Sequence, residues 1–226
     1  MVDKPSTKYG SPGLLVQCRF LVAKLFYNLS FAILVRGASW QEELVASLKP
    51  KAGDRILGIG PRGFSSAIPL AVRYPEAAFV IVDPNSKAAE RMRLSAARNK
   101  LGNITVIHAS LLGKLPLNAG SFDAVICAFA LHDSPPEEKL SVIKEMSRVL
   151  RHGGTLRAVD FDKPENPREQ RILELTRRIS GAAAAAPHFN GSWVDGLAKG
   201  GLAGAIRVSS HSCGSGRISI VKARKR

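Results

Sequence analysis

Three glycines and one carboxylate carry the first chemistry legible in the chain. Gly58, Gly60 and Gly63 lie in Arg55-Ile-Leu-Gly-Ile-Gly-Pro-Arg-Gly-Phe-Ser-Ser66, where an apolar run breaks into a glycine turn and passes into a helical pattern. Asp83 closes the next apolar run. A helix that starts straight after such a turn aims free N–H groups and a partial positive charge at whatever lies above the strand end. A carboxylate ending the neighbouring strand can accept from both hydroxyls of a ribose, each charge-assisted bond contributing roughly 1.5–3 kcal/mol. The layout suits an adenosine-containing ligand. Gly58, Gly60 and Gly63 also spell the G-x-G-x-x-G fingerprint of dinucleotide sites, so these residues alone admit more than one cofactor. Farther along, His132 follows another apolar run and is a candidate general base, with Asp133 beside it to orient the imidazole.

The elements that must position these groups alternate. A helix from Trp40 to Leu48 stops at Pro50, and Gly53-Asp54 turns into a strand over Arg55–Ile59. The patterns then predict a helix over Gly63–Arg73 despite Pro69, a strand over Ala78–Val82, a helix over Lys87–Leu101 and a strand over Ile104–His108. Phe122–Cys127, Glu137–Arg151 and Leu156–Asp160 repeat strand, helix, strand. Short β-branched runs between amphipathic helices predict an α/β fold with a doubly wound, mostly parallel sheet. Arg168–Ser180 reads as a further helix, and the alanine tract Gly181–Pro187 as its continuation or a lid. Two late runs, Ala205–Ser210 and Gly216–Lys222, read as a hairpin that ends the sheet.

The 226 residues suit one α/β domain with an added terminal element, divided here into an N-terminal helical cap over residues 1–49 and a Rossmann-like domain over 50–226. Lys and Arg number 33 against 18 Asp and Glu, and the net charge of +15 suits an anionic partner, lipid or nucleic acid. An aromatic content of 6% gives no stacking platform for single strands, which disfavours nucleic acid. Cys18, Cys127 and Cys213 form no close pair, and the five histidines no cluster, so neither disulfides nor a metal site is expected. A reducing, cytoplasmic setting fits that usage. Leu14 to Val35 is mostly apolar but interrupted by Gln17, Arg19, Lys24 and Asn28, which predicts a packed or membrane-surface helix and neither a span nor a signal peptide.

Ser121-Phe-Asp-Ala-Val-Ile-Cys-Ala-Phe-Ala-Leu-His-Asp-Ser-Pro-Pro136, followed by Glu145-Met-Ser-Arg-Val-Leu-Arg-His-Gly-Gly-Thr-Leu156, resembles the fourth strand, helix and Gly-Gly turn of class I S-adenosylmethionine-dependent methyltransferases. Val159-Asp-Phe-Asp-Lys-Pro164 and Leu115-Pro-Leu-Asn-Ala-Gly-Ser-Phe-Asp123 are similar to segments of the ubiquinone/menaquinone-type C-methyltransferases. The resemblance runs from about Tyr27 to the C-terminus and is tightest over residues 50–164. It implies a seven-stranded sheet ending in an antiparallel hairpin, and S-adenosylmethionine as cofactor. The residues it implies for that cofactor are Gly58, Gly60, Pro61, Arg62, Gly63, Asp83, Pro84, Ser110 and Ala128. Tyr27, Phe161 and Asp162 would line the site of a small lipophilic or aromatic acceptor, a quinone precursor or lipid. Gly58 and Ala109-Ser110 depart from the pattern, since relatives usually carry acidic residues there. Two other classes stay open: a nicotinamide-dependent oxidoreductase built on the glycine fingerprint, and a noncatalytic relative at a membrane surface.

Overall fold

The computed structural model describes residues 39–226 except Pro61 and Ser215. The predicted helix within Leu14–Val35, together with Cys18, Tyr27 and Pro61, lies outside the described residues. Among the described residues no helix is long and apolar enough to cross a membrane.

Helix α1 (Ser39–Ser47) leads into β1 (Arg55–Ile59), α2 (Gly63–Arg73), β2 (Ala78–Asp83), α3 (Ser86–Arg98), β3 (Ile104–His108) and β4 (Phe122–Ala128). There follow α4 (Pro136–Val149), β5 (Leu150–Phe161), three helices, α5 (Pro167–Ser180), α6 (Ala182–Phe189) and α7 (Trp193–Lys199), and a closing pair, β6 (Leu202–Cys213) and β7 (Gly216–Lys225). The seven strands lie in the order β3-β2-β1-β4-β5-β7-β6. The first five are parallel, and β7 runs antiparallel to both β5 and β6. β1 and β4 sit side by side although two strands separate them in sequence, so the order reverses there, and the crevice above such a point is where open α/β sheets place ligands.

Both faces of the central strands are covered, which is why β1, β2 and β4 read as mainly apolar runs. On one face Ile56, Phe79, Ile81 and Ile126 pack with α1, α2 and α3 through Trp40, Leu44, Leu70 and Ala89. On the other, Leu57, Val80, Val125 and Leu156 pack with α4 and α7 through Val142, Met146, Trp193 and Leu197. Capping sets the helix starts: Asn85 accepts from the Ala88 N–H at 2.9 Å, and Asn166 accepts from the Glu169 N–H at 3.0 Å ahead of Pro167.

Pro69 sits within α2 and cannot donate to the Ser65 carbonyl four residues earlier. Gln41 of α1 supplies the missing donor, its Nε2 reaching that oxygen at 2.8 Å.

The Gly-Gly turn lies inside a strand. α4 ends at Val149 and β5 starts at once with Leu150, which pairs with Phe122; the next pairing joins Thr155 to Ala124, so Arg151 to Gly154 bulge outward. Gly153 takes a φ of 72° there, a conformation glycine adopts without steric cost. The alanine tract is a helix of its own, separated from α5 by Gly181 at φ 93°. The sequence pattern did not foretell α7, a seven-residue helix.

Candidate functional site

The sheet brings the glycine loop, Asp83 and the end of β4 together at one edge. Gly60 turns with φ 88°, and a Cβ there would stand 2.3 Å from the Ala128 carbonyl oxygen. Gly58 and Gly63 serve a close helix–strand approach: a Cβ on Gly63 would meet the Gly58 carbonyl carbon at 3.0 Å, and one on Gly58 would meet Ile81 Cδ1 at 2.7 Å. Arg62 holds the turn through its backbone, its N–H reaching Ala128 O at 3.5 Å, and no side chain caps the start of α2. Gly60→Ala should therefore lower stability by roughly 1–3 kcal/mol, the cost typical of a non-glycine residue held in a sparsely populated backbone region. Thermal melting of the variant checks it, and an unchanged midpoint would contradict the geometry.

Beside this loop lies a crevice of about 620 Å³ lined by Phe64, Asp83, Pro84, Asn85, Ala88 and Met92, among others. The volume is within the range of small-molecule sites. One oxygen of the buried Asp83 carboxylate accepts from the Asn85 N–H at 2.7 Å, and its other oxygen meets no donor among the described residues. An unpartnered carboxylate oxygen at the rim of an open crevice is what a ribose diol would require, so the residues fit the adenosine end of S-adenosylmethionine. Phe64 lines the crevice without filling it. Ser110 stands apart: it is exposed, its Oγ accepts from the Leu112 N–H at 3.0 Å, and it does not line the crevice.

Past β4, Phe129 takes a φ of 57°, uncommon for a residue with a side chain, and is held there by its N–H bond to Val159 O at 2.8 Å. Strained residues of this kind cluster at functional sites. Its ring packs edge-on against Trp40, Phe161 and His132.

His132 is buried, with 3% of its surface exposed. Its Nδ1 lies 3.0 Å from Asp160 Oδ1, and its Nε2 lies 3.3 Å from Asp133 Oδ2. The Asp160 carboxylate is itself fixed, accepting from the backbone N–H groups of Leu131 at 2.9 Å and Phe161 at 2.8 Å. Burial alone would raise the Asp160 pKa, but the charge and proximity of His132 together with the Leu131 N–H hold it down to about 2. Burial works to lower the pKa of His132; the Asp160 carboxylate outweighs that and raises it. Nearby, His188 is buried and stacks on Trp193 at 5.8 Å between ring centroids. Its Nδ1 is 2.7 Å from the Phe161 carbonyl, which fixes the proton on that nitrogen, and its Nε2 has no partner. Burial pushes its pKa down to about 4, so it is a neutral ring at pH 7.

Asp133 meets His132 as expected but shares it with a second carboxylate, and the expectations for Asp162 and Phe161 are corrected. The carboxylate that orients the His132 imidazole from within is Asp160, while Asp133 is largely exposed and reaches the other nitrogen from outside. Asp162 does not open onto an acceptor site: its carboxylate accepts from Arg207 Nε at 2.6 Å, Arg207 Nη2 at 3.0 Å and Trp193 Nε1 at 3.2 Å. Burial would raise its pKa, and Arg207 brings it below the ordinary carboxylate value. Phe161 is 1% exposed and packs against His132 at 4.9 Å between ring centroids, so it walls the imidazole. The signal that could have revealed Asp160 was present in the sequence, as a carboxylate in the otherwise apolar run Ala158-Val-Asp-Phe161.

Residues 57–154 match the model of a methyltransferase domain. The chain is 35% identical over 143 residues to a ubiquinone/menaquinone biosynthesis C-methyltransferase of Syntrophotalea carbinolica, an alignment that covers 62% of this chain and 56% of the relative. Over this stretch the chain is similar to a methyltransferase domain. It spans 56 to 64% of the length of the first curated relatives it matches. Among solved structures, PigF with SAH superposes with a TM-score of 0.66 at 21% identity, covering 97% of this chain and 64% of that one. The YcgJ protein of Bacillus subtilis superposes with a TM-score of 0.62 at 16% identity, covering 82% of this chain and 97% of that one. These likenesses support the fold, with its mostly parallel seven-stranded sheet.

Proposed function

We propose that this protein is an S-adenosylmethionine-dependent methyltransferase that methylates a small lipophilic or aromatic acceptor whose reacting group gives up a proton, as the ring carbon or hydroxyl of a quinone precursor does. The observation that carries the reading is His132, held on Asp160 at the same sheet edge as the glycine loop and Asp83. The name of the Syntrophotalea relative supports a quinone-related acceptor. When bound, S-adenosylmethionine supplies a methyl group already activated on a sulfonium. Asp83 would hold its ribose, and the N-terminus of α2, with Gly60 and Gly63, its amino-acid end. The protein's own work is to align the acceptor, exclude water and accept a proton. With Asp160 at Nδ1, the nitrogen left to take that proton is His132 Nε2. Asp133 lies at the outer side of this nitrogen, where it can steady the imidazolium that forms. The reading needs no metal. The net charge of +15 supports a second feature of the proposal, that the protein works against an anionic membrane surface on its cytoplasmic side.

Titration calorimetry with S-adenosylmethionine and S-adenosylhomocysteine tests the cofactor assignment. Wild-type protein should bind both, and Asp83→Ala should weaken each by roughly tenfold to a hundredfold, as the loss of a charge-assisted bond implies. Wild-type protein that binds neither ligand would end the catalytic reading.

A further inference from the structure

A cavity of about 290 Å³ lies between α4, α6 and α7. Leu131, Leu140, Ile143, Pro187 and Trp193 form apolar walls, and Lys139 faces the same space. None of these residues lines the crevice beside Asp83.

Lys139 is only 5% exposed, and among the described residues it makes no ion pair. Its Nζ donates to the carbonyls of Ser134 at 2.6 Å and Ala184 at 2.5 Å. An ammonium has three protons to donate, so the third has no acceptor among the described residues. An unpaired buried cation is costly, and proteins ordinarily give such a group a counter-charge. Burial accordingly lowers the pKa of Lys139 to about 8, with the more distant Asp160 and Asp133 opposing that shift. The exposed Lys199 and Asp195 stand at the rim, and both also border the cavity.

We propose that the cavity between α4, α6 and α7 is a second ligand site, which takes a small aromatic or aliphatic anion, its apolar body against Leu140, Ile143 and Trp193 and its anionic oxygen on Lys139. The size limits the occupant to a compact molecule, since 290 Å³ is at the lower edge of small-molecule sites. The occupant is a single anion with an apolar body, because the walls offer one buried cation and the exposed Lys199 and Asp195 offset each other at the rim.

The test compares naphthalene-2-carboxylate with its uncharged carboxamide by titration calorimetry on the full chain. One carboxylate should bind per chain, at least tenfold more tightly than the carboxamide. Lys139→Met should remove that preference and leave the two probes equal. Leu140→Trp fills the cavity without touching the ammonium and should abolish binding of both, so the proposal can be judged even where Lys139→Met does not fold. S-adenosylhomocysteine titrations should be the same in wild-type and Leu140→Trp protein, which separates this site from the cofactor assignment. The proposal is overturned if the two probes bind wild-type protein equally, if neither binds, if Lys139→Met keeps the preference, or if S-adenosylhomocysteine displaces the carboxylate competitively.

Discussion

Asp160→Ala should destabilise the fold by about 3–5 kcal/mol, the cost typical of removing one partner from a buried charged pair. At roughly 2–4 °C per kcal/mol for a chain of this size, the melting midpoint should fall by roughly 6–20 °C. The reason is the number of donors that converge on one carboxylate. The N–H groups of Leu131 and Phe161 donate to its oxygens at 2.9 and 2.8 Å and would be left buried without an acceptor, and the His132 ring, whose Nδ1 lies 3.0 Å from Oδ1, would lose its counter-charge. Asp160→Asn separates charge from shape. It keeps an oxygen for one backbone N–H but presents an amide to the others, so it should melt between wild type and Asp160→Ala. The pH dependence has a definite sign. The folded pKa of Asp160 is depressed from 3.8 to about 2, so its contribution is present above the unfolded value and is lost as pH falls toward 2. The shift corresponds to about 2 kcal/mol. Wild-type protein should thus lose stability between about pH 4 and pH 2 more steeply than Asp160→Asn, and denaturant melts at matched pH values measure it. Parallel pH profiles for the two proteins would contradict the assignment.

His132→Ala should lower kcat by about 10²–10⁴-fold, the usual contribution of a positioned general base, and leave the affinity for S-adenosylhomocysteine within a few fold of wild type. The separation follows from placement: His132 lies beyond β4 and is absent from the lining of the crevice beside Asp83. Wild-type activity should rise with pH through the His132 pKa, because only the neutral ring can take a proton. Asp160 raises that pKa, so replacing Asp160 with Asn should move the rising limb to lower pH. A variant with unchanged kcat, or a rising limb that stays in place, would remove His132 from the chemistry. The measurement is methyl transfer to a quinol-type acceptor across pH 5 to 9, with calorimetry on the same protein batches.

The elements were legible where one local rule decided them. β1, α2 and β3 occupy the predicted spans because apolar runs, a glycine turn and flanking polar residues agree there. α4 ran two residues too long in the reading, since Leu150 and Arg151 continue the helical pattern but are taken up by the sheet through the pairing of Leu150 with Phe122. β6 and β7 were read too short because an edge hairpin alternates polar and apolar residues weakly and is held by backbone pairing. The candidate site was legible in part for the same reason. Asp83 was marked by its place at the end of a strand. The buried links of His132 to Asp160 and of Lys139 to Ala184 join residues 28 and 45 positions apart, and no local pattern announces a contact over that distance.

The Gln41–Ser65 bond makes the leading helix more than an appendage. A proline has left the second helix one donor short, and the missing proton arrives from an amide 24 residues upstream. Trp40, Leu44 and Leu48 reinforce the dependence by sitting in the same apolar cluster as the strands. Anything that pulls on the chain ahead of the first strand therefore tugs directly on the backbone two residues past Gly63, and displacement of that leading segment would be felt first in the glycine turn.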